Sequence, residues 1–98
     1  MTVKFLIIRF SSIGDIVLTT PVMRNLKKQV ENAEIHYLTK NQYSNIVLNN
    51  PYVDKVHVLQ QSFKETIRIL RNERFDYVID LHNNIRSARV KLHLKMLS

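Results

Sequence analysis

Apolar positions along this chain switch repeatedly between the twofold spacing of strands and the three-to-four spacing of helices. Phe5-Leu6-Ile7-Ile8 is continuously apolar, as expected of a strand covered on both faces in a parallel sheet, and predicts a first strand over 3–9. A helical pattern follows, with Ile16, Thr20, Met23, Leu26 and Val30 about one turn apart. Pro21 interrupts it: either one helix from Gly14 is kinked there, or a short turn ends near Thr19 and a second helix opens with Thr20 as cap and Pro21 first.

Residues 33–38 read as a second strand, with Ile35 and Tyr37 on one face and Glu34, His36 and Leu38 on the other. A short helix over 42–48 is stopped by Asn49-Asn50-Pro51. A third strand over 55–59 alternates as one near a sheet edge would. Ser62-Phe63-Lys64-Glu65 matches a capping box and opens a helix to about residue 74, with Phe63, Ile67 and Leu70 as its apolar stripe. A fourth strand spans 75–80, and a last helix from about 85 should turn Ile85, Ala88, Leu92 and Met96 inward.

The order β-α-β-α-β-α-β-α predicts an α/β fold, a Rossmann-like parallel sheet with right-handed crossovers. In the common strand order 3-2-1-4, the loops after strands one and four flank the crevice where such sheets bind ligands.

Those two loops hold the candidate chemistry. Gly14 is the only glycine, placed where strand gives way to helix, and its missing Cβ permits a positive φ or the close approach of a bound group. Asp15 follows at a helix start, where amides and dipole favour negative charge. It reads either as an N-cap, contributing about 1 kcal/mol, or as a catalytic carboxylate, and the roles are compatible. Ser11 and Ser12 could satisfy turn amides or touch a ligand hydroxyl or phosphate. After the fourth strand, His82, Asn83, Asn84 and Arg86 offer an imidazole, two amides and a guanidinium, a set suited to a polyhydroxylated, phosphorylated ligand. Ordinary loop bonding and turn chemistry account for the same residues, with Asp80 as a strand-end cap.

Composition narrows the classes. Ninety-eight residues make one domain at most, marginal for a complete enzyme, and 45% apolar with 23% charged residues is ordinary for a soluble globular chain. Zero cysteines exclude disulfides and cysteine-based metal or redox sites. The N-terminal apolar run is too short for a signal or a membrane span, so a cytoplasmic location is expected. A single glycine argues against phosphate-loop and dinucleotide-binding motifs. His36 and His57 lie in strands without ligand spacing, so neither metal nor cofactor is expected. The net charge of +7 is unevenly spread: no acid follows Asp80, whereas Arg86, Arg89, Lys91 and Lys95 do. A cationic end suits an anionic partner, whether nucleic acid, phospholipid head groups or a phosphorylated small molecule. The tyrosines and phenylalanines mostly occupy core positions rather than a basic surface, so nucleic acid is not the expected partner.

The run from Ile7 to Pro21, containing Ser11-Ser12-Ile13-Gly14-Asp15, strongly resembles the opening of the heptosyltransferase family, glycosyltransferase family 9. Residues 33–38, Asn50-Pro51-Tyr52-Val53-Asp54 and Asp80-Leu81-His82-Asn83-Asn84-Ile85-Arg86-Ser87 are similar to the same family. The family's fourth-strand loop often reads Asp-x-Gln-Gly, from which this chain departs. The resemblance implies the N-terminal, acceptor-side domain of a two-domain GT-B glycosyltransferase over 1–98, incomplete and without the donor-binding half. It implies a metal-free inverting transfer of heptose, or a related sugar, from ADP-heptose or another nucleotide sugar. The acceptor would be the anionic inner core of lipopolysaccharide at the inner membrane, with Asp15 as general base. The chain alone is then expected to be inactive. A non-catalytic α/β module that binds anionic lipid, phosphosugar or nucleic acid is the alternative.

Overall fold

The computed structural model describes residues 2–82 and 85–95; of Ile85, Arg86, His93 and Lys95 it describes the backbone alone. The elements are β1 (Val3–Ile8), α1 (Ile13–Val17), α2 (Thr20–Gln29), β2 (Ala33–Thr39), a 3-10 turn (Asn41–Tyr43), α3 (Ser44–Leu48), β3 (Lys55–Val58), α4 (Phe63–Glu73), β4 (Tyr77–Asp80) and α5 (Ile85–Lys95). All strand pairs are parallel and the order is β3-β2-β1-β4, the expected α/β arrangement.

The unbroken apolar run makes β1 a central strand, with Leu6, Ile7 and Ile8 wholly buried. Each contributes about 1.5–3 kcal/mol of burial. Alternation divides the core into two layers. Leu6, Ile8, Phe10 and Leu38 meet Ile67 and Leu70 of α4 and Val90 of α5. On the opposite face Ile7, Ile35 and Tyr37 meet Ile16, Met23 and Val47 of α1, α2 and α3. The two expected faces of β2 are therefore both covered, and β3 lies at the sheet edge.

At Pro21 the second alternative holds, one residue out of step. The N-cap of α2 is Thr19 and Pro21 takes its second position. The Thr19 hydroxyl is not used as a cap; it donates to Ile16 O at 2.6 Å and lies 3.0 Å from the Tyr37 hydroxyl. Only half of the Ser62 capping box forms. Ser62 Oγ accepts from the Glu65 N–H at 3.4 Å, while the Glu65 carboxylate pairs with Arg68 instead. The helix stops at Arg74, whose φ of 56° is left-handed.

The inward face of α5 differs from expectation. Ser87 and Val90 are buried and Leu94 packs on the core, while Ala88 is exposed and Leu92 is 58% exposed. Met96 lies outside the described residues, as does the Ile85 side chain. Apolar residues ring this helix, so their spacing does not select a face. The 2.8 Å bond from Ser87 Oγ to Asp80 Oδ2 sets its rotation. Among the described residues, no helix is long and apolar enough to cross a membrane.

Candidate functional site

The site is built where β1 and β4 end side by side, with Ile8 opposite Asp80 and the ladder continued by the Leu81 N–H on Ile8 O at 3.0 Å. The chain leaving β1 passes Arg9 and Phe10, crosses a cis Ser11–Ser12 peptide and enters α1. Two bonds tie this corner to the loop after β4. Arg9 Nη1 donates to Leu81 O at 2.9 Å, and the Phe10 N–H donates to His82 Nδ1 at 3.3 Å.

Ser12, not Asp15, is the N-cap residue of α1, so the capping reading of Asp15 is corrected. Asp15 stands three residues further on, in the first turn. Its carboxylate accepts from Ser12 Oγ at 2.9 Å and from Arg9 Nη2 at 2.8 Å, both on Oδ2, while its side chain remains half exposed. The Ser12 hydroxyl, and after it the Arg9 guanidinium, hold Asp15 below the usual carboxylate range. Asp15 is therefore an anion at neutral pH, with Oδ2 anchored by both contacts.

Gly14 lies inside α1 and does not take a positive φ, which corrects that part of the expectation. A Cβ built there meets nothing within 4 Å. The fold itself places no steric demand for glycine at this point; close approach of a bound group is the reading left.

On the β4 side, Asp80 caps the strand end as expected, Oδ1 accepting from the His82 N–H at 3.0 Å. His82 accepts through Nδ1, so its neutral ring carries the proton on Nε2, and it packs against Phe10 with centroids 4.9 Å apart. The corner thus groups Ser11, Ser12, Gly14 and Asp15 on the same sheet rim as His82. Asn83 and Asn84 lie outside the described residues, as does the Arg86 side chain, whose backbone falls in the first turn of α5. Arg9 was not marked by any spacing signal; its position directly beyond a fully buried run is the one hint that it must direct its charge along the rim.

His36 and His57, set apart by their spacing along the chain, are brought together with Glu73. Ligand atoms of His36, His57 and Glu73 lie within 4.8 Å of one another, brought together by the β2–β3 register. Each is already engaged: His36 with Glu34 at 2.6 Å and His57 at 2.9 Å, Glu73 with Lys4 at 3.0 Å and Lys55 at 2.7 Å. Two ammoniums would face any cation placed there, so the cluster serves as a polar network beneath α4.

A groove of about 850 Å³ lies along α4 and is lined by Lys64, Arg68 and Arg71 with Arg89 of α5. Its cationic wall extends the basic end seen in the sequence.

No family model matches the chain. It is 32% identical over 93 residues to lipopolysaccharide heptosyltransferase 1 of Campylobacter coli, covering 89% of this chain and 27% of that protein. Among solved structures, a glycosyl transferase family 9 protein of Veillonella parvula superimposes with a TM-score of 0.84 at 23% identity, over 93% of this chain and 29% of the other. The ADP-heptose lps heptosyltransferase II of E. coli gives 0.84 at 24% identity, over 94% and 28%. The E. coli heptosyltransferase WaaC with ADP gives 0.79 at 21% identity, over 89% and 30%. At these identities the structural likeness shows the fold. The chain spans less than a third of the length of each of these relatives.

Proposed function

We propose that this chain, which belongs with the heptosyltransferases of glycosyltransferase family 9, supplies the acceptor side of a sugar transfer in which Asp15 is the general base. A half-exposed carboxylate, anchored through one oxygen at the rim where β1 meets β4, carries the reading. In an inverting displacement the acceptor hydroxyl oxygen bonds to the anomeric carbon, its proton passes to Asp15, and the nucleotide diphosphate leaves with the electrons of the glycosidic bond. Asp15 is a weak base because Ser12 and Arg9 stabilise its anion, so its contribution comes mainly from placement within hydrogen-bond reach.

The names of the relatives supply the chemistry by analogy: ADP-heptose as donor and lipopolysaccharide as acceptor. In a two-domain GT-B arrangement the donor would be held by a second domain, and Ser11, Ser12, Gly14, His82, Asn83, Asn84 and Arg86 would line the acceptor side. The cationic groove on α4 favours an anionic environment and supports peripheral association with the cytoplasmic face of a membrane.

The test is heptose transfer by the protein isolated from its native cells, with wild type compared to Asp15→Asn. Turnover is expected to fall by about 100-fold or more, with donor KM unchanged and the fold retained. Undiminished turnover rejects the base assignment. Salt-sensitive binding to anionic vesicles without any transfer would favour the non-catalytic binding module.

A further inference from the structure

We propose that Arg9 is a positioning residue that orients the Asp15 carboxylate and ties it to the loop after β4. The proposal rests on the reading of Asp15 as base and assigns its two oxygens different tasks. Arg9 and Ser12 both donate to Oδ2. The acceptor hydroxyl then meets Oδ1, whose direction follows from the anchoring of its twin.

Three features make Arg9 more than a surface counter-ion. It emerges directly from a central strand that ends in the wholly buried Leu6, Ile7 and Ile8, and its side chain is only 21% exposed against 50% for Asp15. Its two terminal nitrogens serve different parts of the chain, Nη2 the corner and Nη1 the Leu81 carbonyl, so Asp15 is referenced to β4 as well as to its own helix. Its Nε is buried with no hydrogen-bond partner among the described residues, a desolvation cost accepted where the head group is held by its two ends. A guanidinium suits the task because it is planar, permanently charged and presents donors in a fixed fork. A lysine could reach one partner as a point charge but cannot span both.

Among the described residues, the other titratable groups of the two loops, Asp80 and His82, are engaged elsewhere. Asp80 accepts from Ser87 and the His82 N–H and lies 3.8 Å from Lys91, and His82 accepts from Phe10. The Asp15 titration therefore reports chiefly on Arg9 and Ser12.

The experiment follows that titration by carbon-detected NMR in the 98-residue chain, in wild type, Arg9→Gln and Arg9→Lys, alongside pH profiles of transfer in the protein from native cells. In Arg9→Gln the Asp15 midpoint should rise toward the ordinary carboxylate value. The acid limb of kcat/KM should rise with it, and kcat should fall about 10-fold or more at constant donor KM. Arg9→Lys should restore the midpoint in part but not kcat. An Asp15 midpoint unmoved in a folded Arg9→Gln chain overturns the proposal, as does a transfer profile unmoved in both variants. If Asp15→Asn retains full turnover, the base reading fails, and the NMR midpoint still decides whether Arg9 governs the carboxylate.

Discussion

His36 Nδ1 lies 2.9 Å from His57 Nε2, joining two buried, stacked rings across the β2–β3 ladder. Glu34 fixes the polarity of this pair: its carboxylate accepts from His36 Nε2–H, so His36 Nδ1 accepts from His57 Nε2–H. Burial, and then coulombic repulsion from the His36 ring, lower His57 to about 4, against the opposing pull of Glu73.

This makes stability sensitive to mild acid. The unfolded chain takes up a proton on His57 near pH 6.5 and the folded chain only near 4, so the contribution is complete above 6.5 and lost as pH falls to 4. The loss should be roughly 3 kcal/mol. Denaturant midpoints at pH 7 and pH 4.5 measure it, and His57→Gln should flatten that part of the profile. Glu73, lowered to about 2 first by Lys55 and then by Lys4 against its own desolvation, adds a separate loss between about 4.5 and 2.

Gly14→Ala should separate folding from function. A helical glycine with open space at its Cβ costs about 0.5–1 kcal/mol relative to alanine, so the melting temperature should rise. If glycine is there to admit the acceptor, transfer should fall at the same time. A stabler variant with unchanged acceptor KM would remove Gly14 from the site.

Arg74→Gly should stabilise the chain. Arg74 closes α4 at φ 56° and ψ 67°, a conformation that glycine adopts without the Cβ penalty of about 1–2 kcal/mol. The expected gain is about 1 kcal/mol in chemical denaturation, with no change at the rim.

Ser87→Ala should destabilise by about 1.5–3 kcal/mol, the range for a hydrogen bond to a charged group. It removes a bond to the Asp80 carboxylate, which is 3% exposed. The amides of α5 should lose more hydrogen-exchange protection than those of β1, since the bond sets how that helix docks.

Much of this architecture was legible from residue order, because burial dictates it locally. Phe5 to Ile8 announced a central strand, the alternation of β2 announced its two faces, and the loops after strands one and four fell on one rim. The failures share a cause. Ser12 and Asp15 exchange the roles of cap and first-turn acceptor because both are good helix-start residues. The facing side of α5 follows polar bonding of Ser87 to Asp80 of the preceding strand, which helical periodicity does not contain. Arg9 and the His36–His57 pair depend on sheet register and on side-chain reach, neither visible before β1, β2, β3 and β4 are laid side by side.

One consequence follows from the burial of β1. Leu6, Ile7 and Ile8 are wholly buried, yet the corner carrying Asp15 begins only a few residues beyond Ile8. The proposed proton acceptor is thus mounted like a tool tip on a buried shank. Cavities carved deep in the sheet, even at Leu6, should blunt that tip by letting its mounting drift.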